Sequence, residues 1–263
     1  SVQKMAERGL RVIAVAIGSL RNNSVPEKLS ELDYQFIGLV GLEDPIRPEV
    51  PEAIKECKEA GIKVVMITGD FPITARSIGQ QIGLSSEGET MTGDELERLS
   101  DEELRARIEK VNIFARVVPE QKLRIVNAFK ANNEIVAMTG DGVNDAPALK
   151  AAQIGIAMGN KGTDVAREAS ALVLLDDNFA SIVSGIRAGR RIFDNLQKAM
   201  SYVLAIHIPI IGLAFLPSFI VSLPILLMPL HIVFMELIID PVCSIAFESE
   251  QEEKGIMNRK PRD

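Results

Sequence analysis

The 263-residue sequence predicts an α/β domain built on a doubly wound parallel sheet, followed by an α-helical transmembrane hairpin. Three observations predict it. From Tyr34 onward short apolar runs alternate with helical patterns, the order of a parallel sheet wrapped by helices. Several runs end in turns rich in Gly, Thr and Asp, and ligands of open α/β sheets bind at the carboxyl ends of strands. From Ala199 to Phe247 the only charged residues are Glu236 and Asp240. A span needs about 20 apolar residues, so this stretch suffices for two.

Composition bounds the function classes. The net charge of −7 argues against a nucleic-acid surface. Mean hydropathy is +0.15, with the apolar residues concentrated late in the chain. Cys57 falls on an expected helix and Cys243 in the apolar zone, so neither a disulfide nor a metal-binding cysteine pair is expected. The amino end shows no signal-peptide pattern and does not start with Met, which is expected of a piece of something longer.

The chain opens on a short helix and a strand, Leu10 to Ile17, then a polar connection from Asn22 to Leu29. Tyr34 to Leu42 is a second strand. The prolines of Glu43-Asp44-Pro45-Ile46-Arg47-Pro48 make a rigid turn into a helix over Val50 to Ala60. Lys63 to Ile67 is a buried strand ending in Thr68-Gly69-Asp70, where a hydroxyl and backbone N–H groups can hold a phosphoryl oxygen. A helix over Phe71 to Ile82, a loop over Ser85 to Asp94 and one charge-rich helix over Glu95 to Lys110 follow. The strand Val111 to Ala115 runs into Arg116-Val117-Val118-Pro119-Glu120-Gln121-Lys122. Pro119 starts a helix with Lys122 in its first turn. A cation there opposes the helix dipole, so a purely structural account of Lys122 is poor.

The apolar run Ile135 to Met138 reads as a buried strand leading into Thr139-Gly140-Asp141-Gly142-Val143-Asn144-Asp145-Ala146-Pro147-Ala148-Leu149-Lys150. Two carboxylates, Asp141 and Asp145, with little bulk around them suit a hard cation such as Mg²⁺ beside a phosphate. Strands over Ile154 to Met158 and Ala171 to Leu175 complete the domain, separated by a turn and helix from Gly159. A helix from Asp176-Asp177-Asn178 enters the apolar zone. The first span is expected to end near Pro217 to Ser222 and the second to begin near Pro224. Arg187, Arg190, Arg191 and Lys198 flank the entry, and Lys254, Arg259, Lys260 and Arg262 the exit. By the positive-inside rule both ends face the cytoplasm. Glu236 and Asp240 are four apart, hence on one helical face, and acids within a membrane are costly and usually functional. Asp240-Pro241 is expected to break the helix locally and leave the Leu237 carbonyl available as a ligand. His207 and His231 are expected to be packing residues.

The twelve-residue string from Thr139 to Lys150 resembles the hinge motif of P-type ion-pumping ATPases, members of the haloacid-dehalogenase superfamily, and the resemblance extends along nearly the whole chain. It implies a haloacid-dehalogenase-like, Rossmann-like domain. It implies catalytic roles for Thr68, Lys122, Asp141 and Asp145, with Mg²⁺ on Asp141 and Asp145. Contacts to ATP fall by the same resemblance to Arg11, Asp44, Arg47, Thr68, Gly69, Asp70, Arg116, Lys122 and Asn144. Glu236, Asp240 and Leu237 would carry the transported cation. The implied division is 1–22 as the end of a nucleotide-binding domain, 23–180 as the phosphorylation domain, 181–248 as stalk and two membrane helices, and 249–263 as a cytosolic segment. The implied partners are ATP, the cation, the bilayer and the rest of a pump; the implied setting is a bacterial plasma membrane with the α/β domain cytoplasmic.

These pumps carry their aspartyl nucleophile in an Asp-Lys-Thr-Gly-Thr sequence, which does not occur here. The chain alone is therefore expected to be inactive. Asp177 to Ile182 and Gly189 to Asn195 resemble the calcium and sodium/potassium pumps. Calcium pumps, however, place Asn and Glu where His207 and Ile210 stand, and Asn-x-x-Thr-Asp where Glu236 to Asp240 stand. Calcium is the first expected ion, then sodium, the proton or another divalent cation; oxygen-only ligands would disfavour soft metals. The competing readings are a membrane-tethered phosphatase of the same superfamily and a non-catalytic membrane-anchored segment.

Overall fold

The computed structural model describes residues 2–19, 28, 32–84, 88–220 and 222–262, in two compact units, Ser1–Ile182 and Val183–Asp263. The polar connection expected over Asn22 to Leu29 lies outside the described residues apart from Lys28, as do Ser85, Ser86 and Glu87 in the expected loop and Val221 in the turn between spans.

In the first unit, helix α1 (Val2–Ala6) leads into strands β1 (Arg11–Ser19) and β2 (Asp33–Leu42), which pair antiparallel in a sheet of their own. The parallel sheet therefore does not begin at Tyr34. A strand of a doubly wound sheet is covered on both faces, whereas Ile17 and Phe36 of this hairpin are 61% and 64% exposed.

The alternation then proceeds through α2 (Val50–Glu59), β3 (Met66–Ile67), α3 (Pro72–Gln81), β4 (Glu89–Thr92), α4 (Gly93–Arg98), α5 (Asp101–Ile108) and β5 (Val111–Ala115). Strand β4 lies where a loop was expected. It pairs parallel with β5 and buries Met91. Gly88 lets β4 approach that closely, since a Cβ there would meet the Asn112 side chain at 2.2 Å. The expected single helix over Glu95 to Lys110 is two helices, because Ser100 starts a new one. The Glu103 N–H donates to Ser100 Oγ at 3.2 Å, and the Ser100 N–H donates to the Glu103 carboxylate at 2.8 Å. Ser100→Ala is expected to lower stability by about 1 kcal/mol, read as a shift of the denaturant midpoint at unchanged slope.

Helix α6 (Pro119–Ala131), β6 (Ala137–Gly140), a 3₁₀ turn (Val143–Asp145), α7 (Ala146–Ala151), β7 (Ile154–Met158), α8 (Asp164–Glu168) and β8 (Leu172–Leu174) complete the unit. The parallel strands form two three-stranded sheets, β3-β5-β4 and β6-β7-β8, with β3 and β6 each at an outer edge. The run from Ile135 is not buried throughout as expected: Ile135 is 75% exposed and lies before the strand, which starts at Ala137. Helix α6 serves both sheets. Ile125 and Phe129 enter the core with Met91, Leu104 and Phe114, while Val126 enters the core with Met138, Leu149 and Ala157. Ile67 and Val136 pack against both cores.

In the second unit, α9 (Phe179–Phe219) and α10 (Pro229–Glu248) are both long and apolar enough to cross a membrane. Helix α10 starts five residues after the expected Pro224. Pro209, Pro217 and Pro241 lie inside the helices without interrupting them, so the expected break at Asp240-Pro241 does not occur. A helix absorbs one missing N–H as a local bend. Beyond α10, residues 249–262 lie along the first part of α9. Lys198 pairs with Glu250 at 2.7 Å and Glu253 at 3.1 Å, and Arg187 with Glu252 at 3.1 Å. Asp194 takes the guanidinium groups of Arg259 and Arg262. Entry and exit flanks thus meet, which requires that α9 and α10 return the chain to the side it left.

Candidate functional site

The carboxyl ends of β3, β5 and β6 carry the chemistry-bearing residues. Beyond β3, the Thr68 N–H donates to the Phe114 carbonyl at 2.9 Å, and the Val117 N–H donates to the Thr68 carbonyl at 3.1 Å. These two bonds fix Thr68 beside the segment that leaves β5. The Thr68 hydroxyl donates to Asp70 at 2.9 Å and accepts from the Asp70 N–H at 3.1 Å. Gly69 between them has open space where a Cβ would stand. The Arg116 N–H donates to the Asp70 carbonyl at 3.0 Å, and its guanidinium lies 4.7 Å from the Phe71 ring centroid.

Lys122 is one turn before Ile125 and Val126 and two before Phe129, hence on the stripe of α6 that faces the cores. Its ammonium reaches Asp145 Oδ1 at 2.6 Å, with the lysine side chain 22% and the aspartate side chain 8% exposed. Asp145 Oδ2 accepts from the Gly142 N–H at 3.1 Å, so the carboxylate folds back over its own loop. Gly140 permits this: a Cβ there would meet Asp145 Cβ at 2.6 Å. Gly140→Ala is expected to cost about 1–3 kcal/mol and to disturb the Lys122–Asp145 pair, read as a lower thermal midpoint. Asp141 and Asn144 are exposed beside the pair. The Asp141 carbonyl accepts from Thr163 N–H at 2.8 Å, tying the loop to the start of α8. Lys122–Asp145 therefore joins the carboxyl ends of the two parallel sheets through a single ion pair.

The other expected nucleotide contacts are dispersed. Arg11 is the first residue of β1 in the antiparallel hairpin. Asp44 is exposed in the turn after β2, and Arg47 is half-buried and donates to the Asp177 carbonyl. Asp177 is itself buried with φ of 52°, its carboxylate accepting from the N–H groups of Asn160 and Lys161, both at 3.0 Å. Arg47 thus braces the corner between β8 and α9.

Mg²⁺ is commonly held by one or two carboxylates, with waters and phosphate oxygens completing the shell. Asp141 and Asp145 fit that donor set, and among the described residues no larger group of His, Cys, Asp or Glu competes with it.

In the second unit, His207 Nε2 of α9 lies 3.0 Å from Glu236 Oε1 of α10, and His207 Nδ1 lies 2.8 Å from the Val203 carbonyl. His207 is thus a packing residue with both ring nitrogens partnered, and it sets an imidazole beside Glu236. Asp240 stands one turn beyond Glu236, and the Leu237 carbonyl cannot receive the usual bond from position 241, which is proline.

A family model described as haloacid dehalogenase-like hydrolase matches residues 6–153, and a second so described matches 122–186. One described as cation transporting ATPase, C-terminus matches 224–263. The chain belongs to the haloacid dehalogenase-like hydrolases. Within that family its length is similar to a segment of the P-type cation-transporting ATPases. A calcium-transporting ATPase of Bacillus subtilis (strain 168) is 48% identical over 99% of this chain, and calcium-transporting ATPase 1 of Lactococcus lactis is 44% identical over 99%. Human potassium-transporting ATPase alpha chain 2 is 45% identical over 86% of it. The chain spans only 29%, 30% and 24% of these relatives respectively. The crystal structure of a zinc-transporting PIB-type ATPase aligns with a TM-score of 0.59 over 94% of this chain and 32% of that one; at 24% identity it attests the fold.

Proposed function

We propose that this chain is the phosphoryl-binding part of the phosphorylation domain of a cation pump, with two of its membrane helices. The observation that carries the reading is the Lys122–Asp145 pair at 2.6 Å, which ties the helix after β5 to the loop that carries the exposed Asp141. Residues 23–180 form the phosphorylation domain, 1–22 the end of a nucleotide-binding domain, 181–248 the stalk and membrane hairpin, and 249–263 a cytosolic segment.

The substrate is ATP, and a phosphoryl group passes to an aspartate that this sequence does not supply. Thr68 donates hydrogen bonds to the phosphoryl oxygens from its hydroxyl, which exchanges Asp70 for the phosphate. Lys122 stands where it can neutralise negative charge on the group in transfer. Asp141 would hold Mg²⁺, with Asp145 ligating it or orienting a water. When bound there, the metal offsets the charge of the transferred phosphoryl group. Gly69, Asp70, Arg116 and Asn144 border the same strand ends and face the nucleotide; Arg11, Asp44 and Arg47 are assigned to it by family resemblance alone. Glu236, Asp240 and Leu237 lie on the cation's path, and calcium is the cargo in the names of the bacterial relatives. The membrane is a bacterial plasma membrane, with the α/β unit in the cytoplasm.

Labelled ATP and Mg²⁺ test the reading. The full-length protein should form an acid-stable phosphoprotein, and the 263-residue chain alone should take no label, because covalent transfer needs the nucleophile. A labelled isolated chain would place the phosphoryl acceptor within these residues and overturn the scheme.

A further inference from the structure

Asp177 holds a conformation that few residues adopt. Its φ of 52° lies in the left-handed region, which aspartate tolerates, and the residue is only 6% exposed. Such a residue persists where its surroundings fix it, and strained positions cluster at functional sites. Three groups fix this one. The N–H groups of Asn160 and Lys161 donate to its two carboxylate oxygens, both at 3.0 Å, and the Arg47 guanidinium donates to its carbonyl.

The carboxylate thereby holds one end of the loop over residues 159–163. The Gly159 N–H donates to the Leu174 carbonyl at 2.8 Å, and Asn160 Nδ2 donates to the Leu175 carbonyl at 2.7 Å. Arg167 donates to the carbonyls of Gly159 and Gly162. The loop has no slack at Gly162, where a Cβ would meet the Met158 carbonyl oxygen at 1.9 Å. Its far end is Thr163, whose N–H donates to the Asp141 carbonyl at 2.8 Å. The Asp141 side chain is exposed, so burial does not orient it. The main chain on either side does: Thr163 holds the Asp141 carbonyl, and the next residue, Gly142, donates its N–H to Asp145 at 3.1 Å.

We propose that Asp177 is a positioning residue for phosphoryl transfer, acting through the 159–163 loop on the main chain of Asp141. The inference rests on the reading that Asp141 holds Mg²⁺. Residues that orient a metal ligand are typically worth about tenfold to a hundredfold in metal affinity. Asparagine, like aspartate, tolerates the left-handed region, so Asp177→Asn leaves the backbone in place. It removes the charge and turns one of the two accepting oxygens into a donor, which cannot take a bond from an N–H.

The test uses the full-length protein. The Mg²⁺ dependence of phosphorylation from ATP, the binding of Mn²⁺ followed by its electron paramagnetic resonance signal, and the thermal midpoint are measured. Asp177→Asn should raise the half-saturating Mg²⁺ and Mn²⁺ concentrations about tenfold, while saturating Mg²⁺ returns the rate to within about threefold of the parent. Thr163→Pro checks the far end of the path and needs no change at Asp177. Proline shares the φ of −72° at this position and deletes the N–H donated to Asp141, so the metal requirement should rise by a similar factor. Thr163→Ala loses the hydroxyl that accepts from the Ala166 N–H but keeps the Thr163 N–H, and should leave the metal requirement at the parent value. Asp177→Asn with the parent's metal requirement, or with a rate lowered equally at every Mg²⁺ concentration, overturns the inference and leaves Asp177 a residue of the fold alone. So does a Thr163→Pro protein whose metal requirement matches that of Thr163→Ala. Asp141→Asn separates the two levels: if it binds Mn²⁺ as the parent does, the reading of Asp141 as the metal residue fails, whatever Asp177 does.

Discussion

Asp141→Asn in the full-length protein should reduce phosphorylation from ATP at least about a thousandfold. Asp141 is the exposed carboxylate of the loop after β6, and its structural tie is through its main-chain carbonyl to Thr163 at 2.8 Å. The amide variant keeps that tie, so the thermal midpoint should stay where it is. What it removes is the negative charge that would hold Mg²⁺ against the phosphoryl group, an effect worth several kcal/mol at about 1.4 kcal/mol per tenfold in rate. Excess Mg²⁺ should not restore the rate. Phosphorylation within tenfold of the parent would remove Asp141 from the site.

Lys122→Met should fail on two counts, and the two can be measured apart. The buried Asp145 would keep only the Gly142 N–H among its present partners, at 3.1 Å, and breaking such a pair leaves an uncompensated charge. A loss of about 2 kcal/mol in stability is expected, since the lysine is partly open to water and the pair is not fully desolvated. Phosphorylation should fall further than that loss explains, by about a hundredfold or more, because the ammonium stands beside the loop that carries Asp141 and can neutralise charge there. Lys122→Arg separates the effects: it keeps a positive charge near Asp145 but not a compact ammonium, so stability should recover more than activity. A Lys122→Met protein with parental activity and a lowered midpoint would make the pair purely structural.

The residues at strand ends were readable because parallel α/β order dictates where loops with free N–H groups fall; Thr68 and Asp141 stand in such loops, and Lys122 in the first turns of the helix that follows β5. Partner choice was not readable. β2 has a sequence any α/β domain could use, and only the tertiary pairing makes it antiparallel to β1. Strand β4 escaped because Glu-Thr-Met-Thr buries a single large side chain, Met91, and presents no apolar run. Ser100 followed three residues later by Glu103 was a legible capping signal within what read as one helix. The hydrogen bond from the Arg47 guanidinium to the Asp177 carbonyl was not legible in the sequence, because the two residues are distant along the chain. His207 and Glu236 are far apart in sequence and meet only across two helices; spacing along one helix relates Glu236 to Asp240 and is silent about its neighbour.

The outer edges of β3 and β6 bear on how this stretch behaves when made by itself. Among the described residues no strand pairs with either edge, and Ile67 and Val136 lie there with Ile135 exposed nearby. Unpaired strand edges can recruit strands from other molecules; Ile67 and Val136 are packed into both cores, so Ile135 is the exposed apolar position here. An isolated preparation should therefore self-associate in a concentration-dependent way through its sheets, independently of any detergent that shields α9 and α10. A lysine placed at Ile135, the most exposed of these apolar positions, should act as a gatekeeper and delay that association without touching the phosphoryl site.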